Sequence, residues 1–246
     1  MNNLINKIII VTGGSGLLGS EIVNHLKAKG AIVFNFDITV NTNLDNRTCY
    51  CDVTNQESIE SAINFVLINF KKIDGLVNNA YPRTNDWSNK FEDVNFSSWQ
   101  KNIDLQLNSV FLVSQLILKV MSNQKFGSII NISSIYGLVG PDFSIYHGTN
   151  MTMPVAYSAI KGGVINFTRY LASYFGPQNI RINCISPGGI FDNQSPTFIE
   201  NYMKKVPLRR MALPNDISPA VEFLISDSST YITGQNLIID GGWTAI

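Results

Sequence analysis

Tyr157 and Lys161 are four residues apart, so on an α-helix, at 3.6 residues per turn, a phenol and an ammonium stand together on one face. A phenol titrates near pH ~10 and exchanges its proton poorly at neutrality, whereas a cation beside it favours the phenolate and brings it into range for proton transfer. The pair is therefore a candidate acid/base. Taken alone, Tyr-x-x-x-Lys also describes many solvated helix faces, so its weight depends on what accompanies it.

Near the N-terminus, Lys7-Ile8-Ile9-Ile10-Val11 has the pattern of a short buried strand that runs into Thr12-Gly13-Gly14-Ser15-Gly16-Leu17-Leu18-Gly19. A helical pattern with Ile22, Val23 and Leu26 on one side follows directly. Strand, glycine turn and helix N-terminus make a pyrophosphate site, because free backbone N–H groups point at the anion and missing side chains let it approach. The loop from Gly13 to Gly19, including Ser15, Gly16, Leu17 and Leu18, is thus a candidate dinucleotide cradle. A second strand ends in Asp37, 24 residues after Gly13. A carboxylate there accepts hydrogen bonds from the adenosine ribose and repels a 2′-phosphate, which favours NAD over NADP.

These residues need a scaffold. Short apolar strands near 7–12, 31–36, 47–51, 73–77, 127–132, 179–185 and 236–239 alternate with amphipathic helices. That alternation predicts an α/β fold with a doubly wound, Rossmann-like parallel sheet of about seven strands, helices on both faces, and one domain over 1–246. Ligands of such sheets bind beyond the carboxyl ends of the strands. Asp52-Val53, Asn78-Asn79-Ala80-Tyr81, Ser133-Ser134 and Pro187-Gly188-Gly189-Ile190 all fall there. If both serines remain in strand geometry, their side chains point to opposite faces. The segment 99–121 is apolar on more than one side, the pattern of a deeply buried helix or of one packed on another subunit.

Composition excludes several classes. Eighteen basic residues balance 18 acidic ones and no basic run occurs, so neither nucleic acid nor an anionic membrane surface is an expected partner. No signal segment and no apolar run of membrane-spanning length is apparent, and a cytoplasmic location is expected. Cys49, Cys51 and Cys184 are expected as buried free thiols. With only His25 and His147, and no ligand spacing, no metal site is assigned. The same scarcity, and the lack of a G-x-S-x-G elbow, argue against Ser-His-Asp or Cys-His nucleophilic catalysis.

The set T-G-x-x-G-x-x-G at Thr12 to Gly19, Asp37, Asp52-Val53, N-N-A at Asn78 to Ala80, I-S-S at Ile132 to Ser134, Tyr157 with Lys161, N-x-x-S-P-G at Asn183 to Gly188, and Y-I-T-G-Q-x-L-x-x-D-G-G at Tyr231 to Gly242 resembles the single-domain short-chain dehydrogenase/reductase family across nearly the whole chain. The resemblance implies an NAD(P)-dependent oxidoreductase that interconverts a secondary alcohol and a ketone. Tyr157 would be the general acid/base, Lys161 would lower its pKa and hold the nicotinamide ribose, and Ser134 would bond the reacting oxygen. Asp52 and Val53 would contact adenine, Asn79 and Ala80 the ribose side, and Pro187, Gly188 and Ile190 the nicotinamide.

Three departures from the family stand out. Gln106 takes the place of the Asn that completes the family's catalytic tetrad, where a main-chain carbonyl holds a relay water. The glycine rhythm, with Gly16 in place of a glycine at Leu17, is that of the sugar-nucleotide epimerase and dehydratase branch. Ser134 and Tyr157 are 23 positions apart, a wider interval than is usual, so an insertion falls within 140–154. Its Tyr146, His147, Thr149 and Asn150 offer ring faces and donors suited to a polyol or sugar, although a subunit-contact loop is the plainer reading. The insertion followed by M-P-V-A-Y-S-A-I-K resembles oxidoreductases found with bacterial surface-sugar and flagellin-glycosylation enzymes. Asp192, in a loop expected to close over substrate, stands where relatives carry Thr.

The expected partners are a small carbohydrate-like substrate and further copies of the chain, as a tetramer or dimer built on helices 99–121 and 157–175. Rival readings are a 3-oxoacyl-[acyl-carrier-protein] reductase, an NAD-retaining epimerase, and a cofactor-sensing binding protein whose catalysis has lapsed.

Overall fold

Ile8–Thr12 (β1) is almost pure β-branched sequence, buried at every position, and its alternate residues enter different layers. Ile8 and Ile10 join one core with Phe34, Val66, Ile117 and Leu171, while Ile9 and Val11 join another with Ile22, Leu26, Ile217 and Val221. A strand buried on both faces needs apolar residues at every position, and that is what separates a central parallel strand from a half-exposed antiparallel one.

The computed structural model describes residues 4–246. Seven parallel strands form one sheet: β1, Ile32–Asp37 (β2), Thr48–Tyr50 (β3), Gly75–Asn78 (β4), Gly127–Ile132 (β5), Ile180–Pro187 (β6) and Asn236–Ile239 (β7). Their spatial order is β3-β2-β1-β4-β5-β6-β7. This is the doubly wound architecture anticipated above. The order reverses between β1 and β4, where successive crossovers leave a crevice at the strands' carboxyl ends.

One face carries helices Leu17–Ala28 (α1) and Pro214–Ile225 (α7), which follow the N- and C-terminal parts of the sheet. The other face carries Gln56–Phe70 (α2), a long unit of Phe96–Ile103 (α3) and Ser109–Gln124 (α4), and Val155–Phe175 (α5). Asp104–Asn108 joins α3 to α4 as a π-helical turn. The joined helix corrects the expectation that no apolar run is long enough to span a membrane: Phe96–Gln124 has 29 residues and passes that test of length and composition. Here Val113, Leu116, Ile117 and Met121 are buried against the sheet. The length was hidden because polar Gln106, Asn108 and Ser109 interrupt the pattern at the π turn.

Buried amides tie α5 to the sheet. Asn78 donates to Asn131 Oδ1 (2.8 Å) and Ser114 Oγ (2.9 Å), and Asn131 donates to Thr168 Oγ1 on α5 (2.9 Å). Each satisfied bond contributes about 1 kcal/mol net, but leaving one buried partner unpaired costs about 1–3 kcal/mol, so the ladder fixes which face of α5 meets β5.

Candidate active site

The α1 N-terminus opens on the crevice without a capping side chain: its N-cap is Gly16, and no acid lies in its first turn. Gly13 has φ 64°, and a Cβ there would sit 2.8 Å from Ala80 Cα, so the turn packs directly on the chain after β4. A Cβ on Gly16 would meet no protein atom closer than 3.5 Å. That glycine keeps space clear above the helix end, not inside the fold. Asn79 Nδ2 braces the turn by donating to the carbonyls of Thr12 and Gly13, both at 3.1 Å. An uncapped positive helix end under an open space suits a diphosphate, and the residues present fit a dinucleotide.

Asp37 lines the same cavity at the end of β2. Burial raises its pKa, but bonds from the Thr39 N–H and hydroxyl (2.9 and 2.8 Å) and the Ser15 N–H (3.0 Å) outweigh that and hold it below the ordinary carboxylate range. It is an anion at neutral pH.

The sheet then carries the crevice to Tyr157 and Lys161 on the first turns of α5. Both face one cavity of about 710 Å³, together with Ser134, Gly16, Asp37, Pro187 and Ile190. Burial pushes the Tyr157 phenol up, and a hydrogen bond with Ser134 draws it part of the way back. Burial also lowers Lys161 to about 8, against an ordinary 10.5. Its Nζ lies 5.5 Å from the Tyr157 ring centroid and donates to Ile132 O at 3.1 Å. Ser133 turns the other way, as alternation predicts, and donates to Lys161 O at 2.8 Å.

Several sequence-predicted residues stand elsewhere. Asp52 accepts from Thr54 N and Oγ1 (2.9 and 2.7 Å) in the turn before α2, and Val53 is in the core. Ser15 bonds Asp37 and Asn35, and Ala80 packs on Gly13. None of the four lines the cavity. Gln106 lies in the π turn with both amide atoms buried and without a protein partner, while its carbonyl accepts from Ser109 Oγ at 3.0 Å.

The insertion folds as a 3-10 turn at Phe143–Tyr146. Tyr146 lines the cavity, as does Asp192, but His147, Thr149 and Asn150 do not; Met151, Thr152, Met153 and Pro154 do. Thr149 Oγ1 is spent on Tyr146 O at 2.8 Å. The reason is packing: Ile145 and Tyr146 dock on Phe198, Tyr202 and Val206 around helix Pro196–Lys205 (α6), which turns their polar neighbours outward. Asn201 Nδ2 donates to Ile145 O (3.3 Å) and His147 O (3.1 Å), Lys205 pairs with Asp142 at 2.8 Å, and Tyr202 Oη accepts from Gly189 N at 2.6 Å. The insertion is thus a brace for α6.

Sequence reasoning missed the opposite wall. Tyr81 and Trp87 meet each other edge to face at 5.9 Å and meet Tyr157 at 5.8 and 6.2 Å. Tyr81 had been noticed only as part of a loop, and nothing in its spacing marks Trp87 as its partner.

A buried phenol beside an ammonium, in one cavity with an uncapped helix end that fits a dinucleotide, is the arrangement of an oxidoreductase that uses a nicotinamide cofactor. Comparison with known proteins agrees. A family model described as enoyl-(acyl carrier protein) reductase matches residues 18–244. The chain is 35% identical to a post-translational flagellin modification protein A of Campylobacter coli, over 98% of this chain and 99% of that one. It is 33% identical to a 3-oxoacyl-[acyl-carrier-protein] reductase FabG of Chlamydia trachomatis, over 97% and 98%. A short-chain dehydrogenase of Leptospira borgpetersenii solved with bound NAD+ superposes with a TM-score of 0.88 at 39% identity, over 98% and 94%. The chain belongs to the short-chain dehydrogenase/reductase family, and it is an NAD(P)-dependent oxidoreductase acting on CH–OH groups.

Proposed function

We propose that the protein interconverts a secondary alcohol and a ketone on a carbohydrate-like substrate of surface-glycan biosynthesis, in the cytoplasm and with NAD in preference to NADP. The observation that carries the chemistry is the sharing of one cavity by Ser134, Tyr157, Lys161 and the glycine turn. When bound, the cofactor supplies the hydride acceptor or donor at nicotinamide C4. Tyr157 gives its proton to the carbonyl oxygen in reduction and takes it from the alcohol in oxidation, and the raised pKa suits the protonated, reducing form. Ser134 bonds the same oxygen, and Lys161 holds positive charge beneath the phenol at neutral pH.

The preference for NAD rests on the ionised Asp37 at the adenosine end, while the two cations lining the cavity, Arg83 and Lys161, both stand around Tyr81 and Tyr157. The glycan assignment rests on the flagellin-modification relative and on the aromatic wall, whose faces suit a sugar ring. Asp192 and Tyr146 complete the substrate end. Exposed Phe111, Tyr170 and Tyr174 on α4 and α5 border a surface hollow of about 580 Å³, which supports assembly of copies through these helices. The FabG relative favours a second reading, reduction of 3-oxoacyl thioesters.

Turnover on a panel of keto-sugars, polyols and 3-oxoacyl thioesters, with NADH and NADPH in parallel, separates the two readings. Tyr157→Phe is expected to lower turnover about 10²–10⁴-fold while NADH still binds. Intact redox activity in that variant would reject the mechanism.

A further inference from the structure

We infer that Arg83 is an anion-binding residue at the substrate end of the cavity, and that the substrate carries a carboxylate or phosphate group. The inference deepens the alcohol–ketone reading above and rests on it for the place of the reacting carbon.

Arg83 lines the cavity, and among the described residues it has no ion-pair partner. Its guanidinium carbon lies 5.5 Å from the Tyr81 ring centroid, and the group also bonds the Tyr81 hydroxyl. Neither contact neutralises it. The acid nearest in sequence is engaged elsewhere: Asp86 accepts from Ser98 Oγ at 2.8 Å. Asp37 is engaged by Ser15 and Thr39, and Asp192, which also lines the cavity, forms no ion pair with Arg83.

Arg83 is exposed, but the backbone that carries it is anchored on both sides. On one side Tyr81 is wedged against Tyr157 and Trp87. On the other, Thr84 exchanges bonds with the buried Asn102: Thr84 N donates to Asn102 Oδ1 (3.1 Å), and Asn102 Nδ2 donates to Thr84 Oγ1 (2.8 Å). The turn continues through Trp87 N to Thr84 O at 3.2 Å. A residue between two such anchors presents its side chain from a fixed base, and ordering it on a ligand costs little further entropy. A guanidinium has five N–H donors, so one that lies near a ring and gives one of them to the ring's hydroxyl still has donors left to receive a carboxylate or phosphate. Tyr81 touches both Arg83 and Tyr157, so an anion on the guanidinium lies one ring away from the reacting oxygen.

The test uses the full chain saturated with NAD+, which occupies the diphosphate cradle. Inorganic phosphate, glucose 6-phosphate and glucuronate, with glucose as the uncharged control, are titrated calorimetrically into the wild type, Arg83→Gln and Arg83→Lys. Glucuronate or glucose 6-phosphate is expected to bind at least ~10-fold more tightly than glucose, the size of one good charge-assisted contact. Whichever of the two is preferred tells carboxylate from phosphate. Arg83→Gln should erase the preference and Arg83→Lys should keep part of it, with NADH affinity unchanged in both. Equal binding of charged and neutral sugars, no binding of any anionic probe, or a preference that survives Arg83→Gln would overturn the inference. So would a matching loss of NADH affinity, which would place Arg83 on the cofactor. Because the readout is equilibrium binding, its failure is distinct from failure of the redox reading, which appears as turnover persisting in Tyr157→Phe.

Discussion

Lys161 Nζ lies 5.5 Å from the centre of the Tyr157 ring, yet its hydrogen bond goes to the carbonyl oxygen of Ile132 at 3.1 Å. The ammonium is buried with a carbonyl for a partner and no carboxylate, which explains why its pKa falls to about 8. Function and stability then pull apart at this residue. A lysine whose folded pKa lies below its unfolded 10.5 binds its proton less firmly in the folded state. The penalty is therefore full below about pH 8, shrinks between 8 and 10.5, and vanishes above.

Lys161→Met is accordingly expected to raise the free energy of unfolding at pH 7, by on the order of 1–3 kcal/mol, while abolishing turnover. Thermal unfolding of both proteins at pH 7 and at pH 10.5 checks the sign. The stabilisation should be present at the first pH and absent at the second.

The paired serines should differ in turnover. Ser133 Oγ spends its hydrogen on Lys161 O inside the fold, whereas Ser134 bonds the Tyr157 phenol. Ser133→Ala is expected to cost about 1 kcal/mol of stability with turnover within a few-fold, because it removes one buried hydrogen bond while Lys161 O keeps its helical partner. Ser134→Ala should cut turnover by about 10²-fold, the loss of one donor to a charged oxygen, and also cost about 1 kcal/mol because Ser134 Oγ accepts from the buried Tyr136 N–H at 3.2 Å. Parallel melts and steady-state rates decide it; equal effects on turnover would mean that the two side chains share one role.

Asp37 offers a test of cofactor choice. Its carboxylate is ionised by three donated bonds, from the Ser15 N–H and from the Thr39 N–H and hydroxyl. Asp37→Asn removes the charge and keeps the shape, so the ratio of kcat/KM for NADH over NADPH is expected to fall by about 10-fold or more, as one charged contact is worth. An unchanged ratio would show that discrimination lies elsewhere in the crevice.

The brace between the insertion and α6 predicts a dynamic effect. Tyr202 Oη accepts from Gly189 N, and Asn201 bonds two carbonyls of the insertion. Tyr202→Phe leaves the Gly189 N–H unpaired, and Asn201→Ala frees the loop. Hydrogen exchange across 189–207 should then quicken about 10-fold, with substrate KM rising more than kcat changes. Unaltered exchange in both variants would mean that apolar packing of Tyr146 on Phe198 holds α6 by itself.

How far the sequence could be read depended on the range of the interactions involved. β1 was legible because a strand covered on both faces is apolar almost throughout, and the Gly13 turn because backbone conformation and close approach leave little choice of residue. That Ser133 and Ser134 turn different ways followed from strand alternation, while the role expected of Ser134 came from the family resemblance. Thr84 and Asn102, 18 residues apart, carry no such periodicity, so the anchors of Arg83 were invisible. His147, Thr149 and Asn150 had suitable chemistry, but in a 3-10 segment the direction of a side chain is decided by which neighbours find an apolar partner, and here Ile145 and Tyr146 did. At Asp52 the turn bonds from Thr54, two residues on, set the direction of the carboxylate, a local effect that strand periodicity does not carry.

Gln106 separates a side-chain role from a main-chain one. Its amide is buried in the π turn without a protein partner, and its carbonyl is turned toward Ser109 by the same distortion that joins α3 to α4. If the backbone does the work at this position, the side chain contributes volume and an uncompensated desolvation penalty. Gln106→Met keeps length and removes both polar atoms, so it should hold or raise stability by about 1–2 kcal/mol and leave turnover within a few-fold. Gln106→Pro, which removes the N–H and breaks the turn, should abolish both folding and activity and serves as the structural control. A 100-fold loss of turnover in a well-folded Gln106→Met protein would instead put the amide itself in the proton path, because packing is preserved and only hydrogen-bonding capacity has gone.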